Sequence, residues 1–395
     1  MPTIQTQEIL PAIRTAAKVA GNARTPSLRT VWLQFTGQSL LVRATDSQVD
    51  YAARLPLQSA VTEDVLVGVE GKMLAGLLGK MGPGEISIHP PEVKDDDTTC
   101  RIQQGRRKFD VAAMQTYWFS PGDPFPDNVP DVESWYMTGT DLADVIQSIE
   151  YCISSDETLG PFNCLLLDQG GDDARAVAVG LNGHQMGVRR FDGGQIISSL
   201  PEGGLRIQRK FLPDLRAWMD GLEIEAALHK GRLHLRDAGK SEHWSIPTHQ
   251  DPYPDWSQLI AKSGDGSKTL TVHRQPFLDC LERLKFFTSD ESMAVFLDPD
   301  DQAVTLAAKS SGKGAGSDYC PIVRQGDLFK IAFPVDDLAR IIAAFRGEEI
   351  LFTFSEPEGP CVLRDQTGSD QYEVLLMPMQ INEDIPLEPE GEGEA

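Results

Sequence analysis

Six cysteines, seven histidines and one glycine-rich loop are the features of this chain best equipped to do chemistry. Cys100, Cys152, Cys164, Cys280, Cys320 and Cys361 form no CxxC pair. That spacing argues against a structural zinc site or a disulfide framework and predicts buried free thiols. The histidines are dispersed, with no HExxH. The segment "SSGKGAGSD" (310–318) resembles a phosphate loop only in its glycines. It lacks GxxxxGK[ST] spacing and has no obvious helix after it, so a flexible surface turn is expected. No GxSxG occurs and the carboxylates form no evident dyad. His184, in "LNGHQMG" (181–187), has the one suggestive setting. With a neighbouring carboxylate it could serve a hydrolase, whereas a lone histidine after an apolar strand is usually structural. The residues therefore point to a binding or scaffolding protein, not an enzyme, with no metal or cofactor.

The elements that must position these residues recur. An amphipathic helix is expected from Glu8 to about Ala20, with Ile9, Leu10, Ile13, Ala16, Ala17 and Ala20 on one face. A second begins at Thr140, a plausible N-cap, followed by Leu142, Val145, Ile146, Ile149 and Cys152. A third runs from about Gln275 through Phe277, Leu278, Leu281 and Leu284. Each has a companion helix that leads through a glycine-containing turn into a strand: 71–88, 209–228 and 334–354. Pro213 suits the first turn of its helix. Strand pairs split by polar turns read as hairpins at 29–46, 162–182 and 293–310. The period is domain-sized. The fold class is α+β: three tandem repeats, each with two helices and roughly eight strands. Proline-rich punctuation at 119–131 and 249–256 places the domains at 1–127, 128–254 and 255–381. The tail 382–395 carries six acidic residues and no basic ones, so disorder is expected.

The chain has 395 residues and a net charge of −23. Such a charge opposes a grip on nucleic acid across the whole surface but leaves room for a local basic face. No apolar run reaches the length of a transmembrane helix, and the N-terminus lacks a signal-peptide pattern. A cytoplasmic protein without membrane contact is expected.

The last predicted strand contains an oddity. "YEVLLMPMQI" (372–381) alternates as a strand and then sets two methionines around a proline, which cannot donate to a sheet ladder. Together with the three repeats, "VGLNGHQMGVRRF" (179–191) and "YPDWSQLI" (253–260), this ending resembles the bacterial DNA sliding clamp family, the β subunit of DNA polymerase III. The segments 24–35, 42–49, 154–168 and 281–297 add to the resemblance, which spans residues 1 to about 381.

The resemblance implies a non-catalytic processivity factor. Two three-domain subunits would close head to tail as a ring with pseudo-sixfold symmetry, helices lining the hole and strands forming the outer sheet. Closure would also remove exposed sheet edges. Phe109 and Val111 of the first repeat would meet Phe286 and Phe287 of the partner's third. Arg14, Lys18, Arg24, Lys72, Lys80, Arg209, Lys210, Arg216, Arg283, Lys285, Arg340 and Arg346 would line the hole. A modest lining suits topological linkage, because strong phosphate neutralisation would cost mobility and make binding steeply salt-dependent. The helix 140–152 carries Asp141, Asp144 and Glu150 and no base, so the lining is uneven.

The resemblance also implies a peptide groove between the second and third repeats. It would be built from Phe162, Leu181, Gly183, His184, Gln185, Met186, Pro254, Leu259, Leu375, Leu376, Met377, Pro378 and Met379. Methionine suits a site that repacks around different peptides. Implied partners are duplex DNA, the replicative polymerase catalytic subunit, the clamp loader, other proteins with clamp-binding motifs, and a second copy of the chain, in a cytoplasmic, nucleoid-associated setting. The family more often has Thr-Asp-Gly-His-Arg where Leu181-Asn182-Gly183-His184-Gln185 stands, an Arg where Gln380 stands, and Arg or Lys where Ser257 and Gln258 stand. Losing those bases makes the groove less tuned to acidic peptide flanks. The acidic tail is an addition, expected to hover near the groove and screen partners electrostatically. The competing reading is an acidic interaction scaffold on the same repeat, never loaded on DNA.

Overall fold

The computed structural model describes residues 2–25, 28–94, 97–114, 124–127, 129–170, 175–193, 199–261, 263, 267–366 and 371–381. The expectation for the tail 382–395 lies outside the described residues. The chain divides into two compact units, Met1–Leu142 with Ala217–Thr248, and Ala143–Arg216 with His249–Ala395. The expected middle domain, 128–254, is thus shared between them.

In the first unit the opening helix spans Thr6–Gly21. Ile9, Ala12, Ile13, Ala16, Val19 and Ala20 are its buried stripe, at the i, i+3, i+4, i+7 spacing of a half-buried helix. Its companion, Gly71–Met81, is capped by the Glu70 carboxylate, which accepts the Met73 N–H at 2.6 Å. Among the described residues, eight strands form one antiparallel sheet. Its central join pairs Asp50–Pro56 with Glu242–Pro247. A smaller sheet ends on Arg107–Ala112, which among the described residues pairs with Asp97–Gln104 on one side only.

In the second unit, twelve strands among the described residues form the sheet. Gln185–Phe191 pairs with the last strand, Tyr372–Leu376, in the register Met186↔Leu375 and Gln185↔Leu376. The helices Arg274–Leu284 and Val335–Ala344 bury Phe277, Leu281 and Leu284, and Leu338, Ile341 and Ile342. Each such side chain, fully buried, contributes about 1.5–3 kcal/mol.

Two local expectations are corrected. Thr140 is not the N-cap: the helix already starts at Gly139, and the Thr140 hydroxyl instead accepts the Gly221 N–H at 2.9 Å. A Cβ at Gly139 would lie 2.1 Å from the Met219 carbonyl, so only glycine lets the chain enter there. In "SSGKGAGSD" the expected surface turn is confined to 311–313, and strand resumes at Gly314. The segment closes a hairpin between Ala303–Ser310 and Gly314–Gln325, with Gly312 and Gly314 at φ 82° and 87°. All six cysteines are buried free thiols.

Candidate peptide groove and cationic faces

The groove grows from a turn. Asn182 Oδ1 accepts the N–H groups of His184 and Gln185, both at 2.9 Å, and Gly183 takes φ 92°. That side-chain turn presents the His184 carbonyl to the last strand, where it accepts the Met377 N–H at 2.8 Å. Two residues on, Met379 donates to the Ala332 carbonyl at 2.8 Å. Pro378, which has no N–H, sits where the chain changes partner. The Met-Pro-Met step therefore moves the backbone from one strand to another, with Met377 36% exposed and Pro378 and Met379 half-buried.

Beneath lies an apolar cluster of Leu166, Val177, Val179, Leu181, Met186, Val188 and Leu375. Phe162, Tyr253, Trp256 and Ile260 pack onto it. The linker is pinned by Tyr253, whose hydroxyl donates to the Val179 carbonyl at 3.5 Å, and by Trp256, whose Nε1 donates to Asp168 at 3.2 Å. Asp255 accepts from Ser257 at 2.8 Å and from the Gln258 N–H at 3.1 Å, and these bonds lower its pKa.

Phe162, Leu181, Met186 and Leu375 thus come together as expected residues of one cluster. Gly183, His184, Met377, Pro378 and Met379 form its edge. Pro254 is half-buried and Leu259 is 40% exposed. Gln185 and Leu376 face the other way, since neighbouring strand residues alternate between faces. The Gln185 amide donates to the Tyr151 carbonyl at 3.2 Å, and Leu376 is 1% exposed. Sequence reasoning missed Tyr253, Trp256 and Ile260. The signal was present in the aromatics of "YPDW".

The first unit has a similar joint with different contents. The sequence D-P-F-P-D (123–127) parallels D-P-Y-P-D (251–255). Asp46 Oδ1 accepts from Gln48 and Val49 as Asn182 does from its own turn, at 2.8 and 2.7 Å. Here, however, Phe125 lies under the Arg236 guanidinium, 3.8 Å from ring centre to Cζ, and edge-on to His243. Arg236, 5% exposed, is paired with Asp127 at 2.5 Å and Glu225 at 2.8 Å. Burial opposes the ionisation of Glu225, but hydrogen bonds from Arg236 and Ser134 keep its pKa below the usual range. Burial, then the charges of His234 and Arg236, drive His243 down to about 3. This seat is polar and filled by the chain's own side chains.

The expected DNA-facing cations fall into two groups. Arg14, Lys18, Arg24, Lys72 and Lys80 are exposed on or beside the first unit's two helices. Among the described residues, Arg14, Arg24, Lys72 and Lys80 form no ion pair. The second unit's cations are mostly engaged. Lys210 pairs with Glu157 at 3.8 Å, Arg216 with Glu150 at 3.4 Å and Arg283 with Asp318 at 2.6 Å. Lys285 reaches Glu282 at 2.7 Å and Asp336 at 3.5 Å, Arg340 reaches Asp337 at 3.8 Å, and Arg346 pairs with Asp144. Arg209 donates to the Ile153 carbonyl.

Of the expected interface residues, Phe286 is 78% exposed, whereas Phe287 packs against the strand Gly314–Gln325 of its own chain: a Cβ at Gly316 would lie 2.5 Å from its ring. Phe109 is half-buried and Val111 is 7% exposed. Among the described residues no group of three or more His, Cys, Asp or Glu could hold a metal ion. No helix among them is long and apolar enough to cross a membrane.

Residues 264–380 match the family model of the DNA polymerase III beta subunit, C-terminal domain. The beta sliding clamp of Pseudomonas aeruginosa is 20% identical over 382 residues, covering 96% of this chain and 99% of that protein. That of Synechococcus elongatus is 21% identical over 340 residues, covering 85% of each. The crystal structure of the Caulobacter crescentus beta sliding clamp superposes with a TM-score of 0.86 at 19% identity, over 96% of this chain and 99% of that one. The Pseudomonas aeruginosa DNA polymerase III subunit beta gives 0.84 at 18% identity, over 96% and 100%.

Proposed function

We propose that this chain, which has the fold of the bacterial sliding clamps and ends in a DNA polymerase III beta C-terminal domain, is itself a sliding clamp: a non-catalytic processivity factor for DNA replication. The match over residues 264–380 carries the reading, because it ends on the Met-Pro-Met step at the groove. Two copies close head to tail around duplex DNA. The partner peptides of the replicative polymerase and the clamp loader enter the groove of the second unit, their apolar anchors over Leu181, Met186 and Leu375.

Two open strand edges favour the ring. Among the described residues, Arg107–Ala112 pairs on one side only. Residues 314–321 pair with Ala303–Ser310, and only 322–325 of the same strand find a second neighbour, at Lys268–His273. Such edges call for a partner, and Phe286 stands exposed near the second. The inner cations of the first unit supply most of the free positive charge toward DNA. The three-repeat division, the groove and the cytoplasmic, nucleoid-associated setting belong to the same reading.

Mass in solution tests closure: a dimer of twice 43.4 kDa is expected, and a stable monomer would contradict the ring. Loading onto primed circular DNA by a bacterial clamp loader separates this function from an acidic scaffold that never meets DNA.

A further inference from the structure

The second unit contains a cavity of 690 Å³ whose wall carries five arginines, Arg189, Arg209, Arg216, Arg340 and Arg346, against two carboxylates, Asp144 and Glu150. The wall is therefore positive by three charges in a chain of net charge −23. Arg216 and Arg346 each have one of those carboxylates, and Arg209 spends a donor on a backbone carbonyl. A guanidinium has five donors in a fixed fork, so each of these arginines keeps N–H groups for another acceptor.

Arg189 differs from the rest. It is half-buried, and among the described residues it has neither a hydrogen bond nor an ion pair; its neighbour is the Tyr372 ring, 5.9 Å away. Burial and then the charge of Arg346 lower its pKa, and Asp144 and Tyr372 offset this only in part. A half-buried cation pressed against like charge is costly unless an anion meets it. Several planar forks around one hollow match the tetrahedral oxygens of phosphate better than a single planar carboxylate.

We infer that this cavity is a phosphate seat, taking neighbouring phosphates of a nucleic-acid backbone or a free diphosphate, with Arg189 as its central donor. The backbone form rests on the clamp function proposed above; the seat itself does not.

Titrating inorganic pyrophosphate into the full chain by calorimetry tests the seat. The wild type binds, and Arg189→Gln weakens binding about tenfold or more, as loss of a charged hydrogen bond does. Arg189→Lys restores part of it, and Arg324→Gln, outside the cavity, changes nothing. If Arg189→Gln melts early, Arg216→Gln carries the comparison. No binding by the wild type, or equal binding by both cavity variants, overturns the inference. On duplex DNA, Arg189→Gln lowers the slope of log K against log salt by about 0.9 if a backbone phosphate occupies the seat. An unchanged slope with the pyrophosphate effect intact assigns the seat to a free diphosphate. Arg189-dependent pyrophosphate binding in a protein that never stays on DNA would overturn the clamp function and uphold the seat.

Discussion

Met377 and Met379 flank a proline, and each donates its N–H to a different segment, His184 and Ala332. Backbone pairing fixes the step while the thioethers stay free to repack, which suits a groove that takes several peptides. Replacing both with alanine keeps those hydrogen bonds and removes only apolar contact. Binding of an apolar-anchored peptide should weaken about tenfold, read by fluorescence polarisation, with the dimer unchanged. Dissociation of the dimer would instead assign the methionines to the fold. His243 gives a second residue-scale prediction. Its folded pKa of about 3 lies below the ordinary value of 6.5. Between those values the unfolded chain takes up a proton that the folded chain refuses, so stability is full above 6.5 and falls with pH toward 3. His243→Phe should flatten that loss, seen as a smaller drop in melting temperature between pH 7.5 and 4.5. An equal drop in both proteins would place the acid sensitivity elsewhere.

At the scale of elements, close approach of helix and sheet decides what can change. Gly180 and Gly187 lie in paired strands beneath the helix Gly139–Ile149 and the turn after it. A Cβ on Gly180 would stand 2.7 Å from Ile149 Cγ2 and 2.8 Å from Ile153 Cγ1, and one on Gly187 would stand 2.9 Å from Cys152 Sγ. Gly180→Ala should cost about 1–3 kcal/mol by overpacking, measured by denaturant unfolding. Helices and hairpins were legible in the sequence because periods of 3.6 and 2 are written in apolar side chains, as in Ile9-Ile13-Ala16 and in Leu40-Val42-Ala44. The hairpin at 310–318 was not, because glycine, alanine and serine carry no alternation for a face to reveal. The outer contour of the groove was legible through "LNGHQM" and "LLMPM". Which side chains entered it depended on register, which sends Met186 and Leu375 to one face and Gln185 and Leu376 to the other. Arg189 carried no local signal either, since its isolation arises from residues distant in sequence.

For the whole molecule, charge is the governing quantity. With a net charge of −23, with Arg14, Lys72 and Lys80 on the first unit's two helices without ion pairs among the described residues, and with most cations of the second unit paired, the proposed clamp would hold DNA by enclosure more than by affinity. Contact should be salt-sensitive and independent of sequence. The acidic tail adds a long-range term: deleting 382–395 should tighten the binding of acidic-flanked peptides at low salt and leave it unchanged at high salt, where charges are screened. No change at either salt would remove the tail from partner selection. The most direct test of the account is retention after loading on one plasmid, first as a nicked circle and then cut once. The clamp function predicts that the protein stays on the circle through a high-salt wash and runs off when the DNA is linearised. Equal retention on circle and line would contradict enclosure.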